Sequence, residues 1–122
     1  MGSSDENSAS LSEIKAQLRT FADERDWSQF HSPKNLVMAL SGEVGELAEK
    51  FQWLSEDESQ ALSESQLSEV SDEIADVQIY LLMLSDKLGV DVLDAVEKKI
   101  RDNARKYPVD KAQGKSDKYT EL

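Results

Sequence analysis

The sequence predicts an all-α fold, a four-helix bundle built as a single domain of 122 residues. Three observations carry that prediction. Helix-favouring Ala, Leu, Glu, Lys and Gln dominate the interior, whereas the only prolines are Pro33 and Pro108 and the five glycines are scattered. Apolar residues recur at steps of three and four in four separate segments. Serine, aspartate and proline stand where helices would begin, and glycine where one would end. The length suits one core and not two, so one domain must supply the whole site unless subunits share it.

Residues 1–9 carry neither the basic start nor the apolar run of a secretory signal, and are expected to be a disordered lead-in. Ser10-x-x-Glu13 is a capping-box pattern, and Leu11, Ile14, Leu18 and Phe21 follow at helical spacing, so a first helix should end near Arg25. Ser32 followed by Pro33 is an N-cap and first-turn pair. Leu36, Leu40, Val44, Leu47 and Phe51 then mark the buried stripe of a second helix, expected to reach about Trp53. Residues 55–66 lack an apolar period and read as an acidic connecting loop.

Leu67, Val70, Ile74, Val77, Leu81, Leu84 and Leu88 hold a strict alternation of three and four, the stripe expected to seat a third helix in the bundle. Ile79, Leu82 and Met83 are apolar beside it, a surplus expected to be covered partly by another subunit. Gly89 can end this helix in a left-handed conformation. Asp91 can cap a fourth carrying Leu93, Val96 and Ile100, which Pro108 stops. The expected domain thus spans residues 10–108, with a basic tail lacking helical period over 109–122.

The longest strongly apolar run, Ile79 to Leu84, is far short of the roughly 20 residues a membrane span needs. A net charge of −11 opposes binding to nucleic-acid polymers or anionic membranes. That charge is uneven, because residues 98–122 hold eight of the fourteen Lys and Arg against four acids. The absence of cysteine excludes a disulfide framework, a zinc-thiolate site and a thiol nucleophile, and fits a cytoplasmic location.

Chemistry is concentrated in two carboxylate pairs, Glu43-x-x-Glu46 and Glu73-x-x-Asp76. A three-residue step points both members of a pair the same way. If the two helices form an antiparallel hairpin, Glu46 falls level with about residue 75 and Glu43 with about residue 78, so the pairs meet within roughly one turn. Four converging carboxylates raise one another's pKa, and a hard divalent cation relieves the repulsion. All-oxygen ligation suits Mg²⁺ or Mn²⁺; a di-iron bundle would want histidine on two helices, and His31 is the only histidine. The alternative is that each pair is an ordinary solvated face. Glu49 and Asp72 are further acids beside the pairs, either contributors or surface residues.

Trp53 and Tyr80 each lie seven residues beyond an acid, two turns along the expected acidic faces, where they either stack on a base or fill the bundle. The same choice applies to Trp27, Phe30 and His31 between the first two helices. Lys99, Arg105, Lys106 and Lys118 are either phosphate-facing cations or surface charges.

Taken together, Glu43, Glu46, Glu73 and Asp76 resemble the signature of the MazG-type nucleoside triphosphate pyrophosphohydrolases. Further segments are similar to the dCTP pyrophosphatases within that group: Arg25-Asp26-Trp27 with Phe30-His31, Gly42 to Glu49 with Phe51-Gln52-Trp53, Asp76-Val77 with Ile79-Tyr80-Leu81, Tyr107-Pro108, and Lys118 to Leu122. The resemblance runs from about Phe21 to the C-terminus. It implies a homotetramer whose sites include residues from neighbouring chains. The implied reaction is hydrolysis between the α- and β-phosphates, giving a monophosphate and pyrophosphate for nucleotide-pool house-cleaning. Glu43, Glu46, Glu73 and Asp76 would hold one or two Mg²⁺, with Trp27, His31, Trp53 and Tyr80 at the base and Asn103, Lys106 and Lys118 at the phosphates. The sequence departs at Leu18, where animal members carry a histidine in the base pocket. A broader or dUTP-directed hydrolase, and a non-catalytic helical interaction module, are the competing readings.

Overall fold

The structure is a computed structural model that describes residues 10–122; the lead-in expected over 1–9 lies outside them. Six α-helices and two 3-10 turns, with no strand among the described residues, make the chain all-α. The helices are α1 (Leu11–Glu24), α2 (Pro33–Glu49), α3 (Glu56–Ser59), α4 (Glu64–Leu88), α5 (Val92–Lys106) and α6 (Val109–Ala112). They divide into a unit ending at Gly89 and a second unit, Val90–Leu122.

Helix starts follow the side-chain chemistry. The Ser10, Ser32 and Asp91 side chains accept from the backbone N–H groups of Glu13, Asn35 and Asp94, satisfying donors that have no partner inside the helix. Pro33 occupies the first turn of α2, where its missing N–H costs nothing. Gly89 closes α4 at φ 68°, the left-handed conformation that a residue without Cβ adopts freely.

Two expectations about the middle of the chain are corrected. The second helix stops at Glu49, not near Trp53: the N–H groups of Lys50 and Phe51 bond to Leu47 and Ala48, three residues back, so the helical ladder tightens into turns. The stretch 55–66 is not a plain loop. Ser55 with Glu58 and Ser63 with Gln66 each form a complete capping box, which nucleates the single turn α3 and starts α4 at Glu64. These starts are polar, and so left no apolar period to read.

In the first unit α2 and α4 form the principal pair, and α1 packs on α4. Leu36, Val70, Leu82 and Ala22 are buried between them, Leu36 at 1% exposure. Buried Ser85 turns its hydroxyl back onto the Leu82 carbonyl at 2.9 Å, the usual way to hide a hydroxyl inside a helix. Arg19 and Asp86 pair at 2.6 Å and tie α1 to the C-terminal half of α4.

The faces of α4 are only partly those expected: Val70 is buried and Val77 and Leu84 are half-buried, as the stripe requires. Leu67, Ile74, Leu81 and Leu88, part of the anticipated core stripe, are 40–58% exposed, whereas Leu82 is buried and Ile79 and Met83 are half-buried. A helix this apolar offers several stripes of helical period, and α1 takes the one through Leu82, leaving the seven-spaced row outside.

In the second unit α5 ends at Tyr107, whose N–H bonds to the Asn103 carbonyl, and the following residues are not without helix: Pro108 opens the single turn α6. Tyr119 lies edge-on to Tyr107 with centroids 5.9 Å apart, and Lys106 Nζ sits 4.9 Å from the Tyr119 ring centre. Arg105 pairs with Asp102. Leu93, Val96 and Ile100, at helical spacing on α5, are exposed.

Candidate active site

The approach to the site is built by the turn between α1 and α2. Asp26 takes φ 55°, one of the few non-glycine residue types that enter the left-handed region readily. Its N–H bonds to the Asp23 carbonyl, and the Trp27 N–H returns to the Ala22 carbonyl at 2.9 Å, a paired closure of the helix end. Ser28 donates its hydroxyl to Asp23 at 2.6 Å, Gln29 holds Asp26, and Asn35 reaches back from α2 to the Phe30 carbonyl at 3.0 Å. The Trp27 ring therefore meets Phe21 edge-on, centroids 5.7 Å apart, with the Arg25 guanidinium over the Phe21 ring at 3.7 Å.

Beyond this turn opens a cavity of about 380 Å³. Its apolar wall comes from Leu18 and Phe21 of α1, Trp27, and Ile79, Tyr80 and Met83 of α4; His31 joins them, and Glu43 and Asp76 stand at its acidic side. An aromatic-rich slot meeting carboxylates suits a molecule with a flat apolar end and an anionic end that a cation can bridge.

Glu43, Glu73 and Asp76 each offer an oxygen atom such that all three lie within 4.8 Å of one another. Oxygen ligands about 2.0–2.1 Å from a magnesium ion stand roughly 3–4 Å apart, so a small inward adjustment of these side chains would make the three a hard-cation donor set. Glu43 Oε2 and Glu73 Oε2 are buried and lack any hydrogen-bond partner, which is costly for carboxylates unless something cationic meets them. Burial, followed by the Glu46, Asp76 and Glu73 carboxylates, pushes Glu43 up to about 7. Glu73 is raised for the same reasons, burial first, against an opposing pull from Lys50. The residues present fit a divalent metal.

Glu46 lies outside the close trio, exposed to solvent, yet near enough to repel both Glu43 and Glu73. Glu49 and Asp72 are exposed. Trp27, His31 and Tyr80 share the cavity with two of the acids. Trp53 does not: because α2 ends early, this residue sits in the turn beyond it, 86% exposed, rather than on the acidic helical face expected for it. Asn103, Lys106 and Lys118 belong to the second unit, as do Lys99 and Arg105. The sequence places Phe21 on the apolar stripe of the first helix and Ile79 and Met83 in the surplus expected at a subunit contact, whereas all three line the cavity; the Phe21 to Trp27 spacing across a helix end was the signal available for the first.

A profile of the MazG-like family matches residues 38–122, spanning α4 with all four acids. This chain belongs to the MazG-like family. It is 46% identical over 114 residues to dCTP pyrophosphatase 1 of Bos taurus, which covers 92% of this chain and 68% of that protein. The Homo sapiens dCTP pyrophosphatase 1 is likewise 46% identical over 114 residues, covering 92% and 67%. A crystallographically solved pyrophosphatase from Archaeoglobus fulgidus superposes with a TM-score of 0.77 at 45% identity, covering 84% of this chain and 95% of its own.

Proposed function

We propose that this chain is a divalent-cation-dependent nucleoside triphosphate pyrophosphohydrolase. Its substrates would be dCTP and modified dCTP, cleaved to the monophosphate and pyrophosphate in cleansing the nucleotide pool. The observation that carries the reading is the junction of the aromatic cavity with the Glu43, Glu73 and Asp76 oxygens, one place for a base and one for cation-bridged phosphates. The likeness to proteins named dCTP pyrophosphatase 1 supports the choice of base.

Glu43, Glu73 and Asp76 would hold the ion, Mg²⁺ or Mn²⁺, with Glu46 beside them as a further ligand. When bound, the ion neutralises phosphate charge and lowers the pKa of an attacking water. The chain's own groups do the rest. Trp27 and Tyr80 receive the base by stacking, while His31 supplies the polar contact in the same cavity. Glu46, exposed beside the trio, would take the proton on its oxygen not given to the ion, as the water oxygen bonds to phosphorus and the bridging P–O bond breaks toward pyrophosphate. From a neighbouring subunit, Asn103, Lys106, Lys118 and Trp53 would complete the substrate contacts in this reading.

We assign the working form to a homo-oligomer, a tetramer by likeness to the family. The exposed Leu67, Ile74, Leu81 and Leu88 of α4, with Val37 and Val44 of α2, support it, being more apolar surface than a single small domain ordinarily leaves to water. No helix among the described residues is long and apolar enough to cross a membrane, and a cytoplasmic location belongs to the same proposal.

Leu18 favours a second reading of broader or dUTP-directed activity. At that wall the cavity presents only aliphatic carbon, which cannot tell an exocyclic amine from a carbonyl as a hydrogen-bonding group would. The deciding experiment is a panel of dCTP, 5-methyl-dCTP, dUTP, dTTP and dATP with Mg²⁺, reading pyrophosphate release. A preference for dCTP supports the first reading, comparable rates across pyrimidines the second. No release from any triphosphate leaves only a helical interaction module.

A further inference from the structure

We propose that the Lys50 ammonium binds the phosphates that leave as pyrophosphate, and that the nucleotide lies along the α2–α4 seam with its base toward Tyr80 and its terminal phosphates toward Glu69. The inference rests on the pyrophosphohydrolase reading and adds a residue and a direction to it.

On α4, Tyr80, Asp76, Glu73 and Glu69 follow at steps of four, three and four, so they form one stripe of the helix. The rise from Tyr80 to Glu69 is about 16 Å, room for a base, a sugar and three phosphates end to end. The two ends of this stripe differ. Tyr80 and Asp76 line the aromatic cavity, together with Glu43 from α2. Glu69 instead faces Lys50, whose Nζ lies 4.0 Å from its Oε2, and the Lys50 charge acts on Glu73 as well.

Lys50 is held where it can serve. It caps the C-terminus of α2, its side chain is 34% exposed, and the tightened turn that ends the helix fixes its backbone through the Leu47 carbonyl. Its ion pair with Glu69 is long and solvated, so exchanging that carboxylate for a phosphate oxygen costs little. The trio of carboxylates repels a triphosphate except where a cation intervenes. Lys50 supplies a fixed positive charge on the side away from the base, where negative charge accumulates as the bridging bond breaks.

The test compares Lys50→Gln and Lys50→Arg with wild type by calorimetric titration of inorganic pyrophosphate and, separately, of dCMP, both with Mg²⁺, alongside kinetics with dCTP. Lys50→Gln should weaken pyrophosphate at least tenfold and leave dCMP within about twofold, while Lys50→Arg recovers most of the loss. Equal weakening of both ligands, or unaltered pyrophosphate binding, overturns the assignment. Glu69→Gln removes the carboxylate that shares Lys50 and should tighten pyrophosphate two- to threefold; if Lys50→Gln fails to fold, this variant decides, and unchanged or weaker binding refutes the role. The triphosphate panel keeps the two readings apart. Pyrophosphate release by wild type with no pyrophosphate-selective loss in Lys50→Gln refutes only the Lys50 assignment, whereas no release from any triphosphate, with no pyrophosphate bound, overturns both.

Discussion

The two connections that flank α2 each carry a tryptophan and treat it in opposite ways. Before α2, a left-handed Asp26, a paired helix closure and the Ser28–Asp23 hydrogen bond fix Trp27 against Phe21 at the mouth of the cavity. After α2, the chain unwinds through short turns and leaves Trp53 86% exposed. The first connection is a built wall whose hydrogen bonds all close within the chain. The second presents its largest apolar side chain to water, where within one chain it cannot help to grip a base. An aromatic residue near the acids in sequence is therefore not enough; the backbone that carries it decides whether it reaches them.

The sharpest way to break this comparison is to remove the chemistry the wall serves. Glu43→Gln should lower pyrophosphate release at least a hundredfold, since it removes an anionic oxygen from the donor trio, while the metal-free protein melts no lower than wild type because a buried repulsion is relieved. Activity within a few-fold of wild type would detach the cavity from the acids. Next in size, Trp27→Ala should weaken dCTP about five- to 150-fold, the value of roughly 1–3 kcal/mol of stacking, with Mg²⁺-pyrophosphate affinity unchanged. Equal loss for both ligands would make Trp27 a packing residue.

A smaller effect is expected from pH. Glu43, raised to about 7, and Glu73, also raised, hold protons in the folded metal-free protein that the unfolded chain gives up near 4.5. The folded state binds more protons across that window, so metal-free stability should fall as pH rises from about 4.5 to 7. Mg²⁺ must displace those protons, so its affinity should climb about tenfold between pH 6 and 8. Melting curves and titrations with and without Mg²⁺ check both signs, and a flat profile would mean that the carboxyls are not crowded.

Ser28→Ala should cost about 1 kcal/mol in denaturant melts, the usual net worth of one hydrogen bond, with a weaker base contact as the turn loosens. Trp53→Ala should change stability by less than about 0.5 kcal/mol, as exposed sites do; a loss of 3–5 kcal/mol would place that indole in a core instead.

The contrast between the two tryptophans was not readable in the sequence, though much of the framework around them was, and the unread parts have a common cause. Helix starts announce themselves through side chains that bond to the backbone, so Ser10, Ser32 and Asp91 marked theirs correctly, as Gly89 marked an end. The meeting of Glu43 with Glu73 and Asp76 also followed, because helix geometry and an antiparallel turn leave little freedom. The end of α2 did not, since neither glycine nor proline marks it and only the retreat of two N–H groups to nearer carbonyls does. Which side of α4 is buried was likewise open: Leu81 and Leu82 are adjacent, equally apolar and face different surroundings, a choice made by where α1 packs.

The exposed row on α4 carries a geometric consequence of its own. Leu67, Ile74, Leu81 and Leu88 repeat every seven residues, while the helix returns to its starting direction every 3.6, so each step falls short by about 20°. Across the row the contact line swings by about 60°, tracing a slow left-handed spiral over the surface. A straight rod laid on α4 would touch one end and lose the other, whereas a helix wound in the same sense could follow the line throughout.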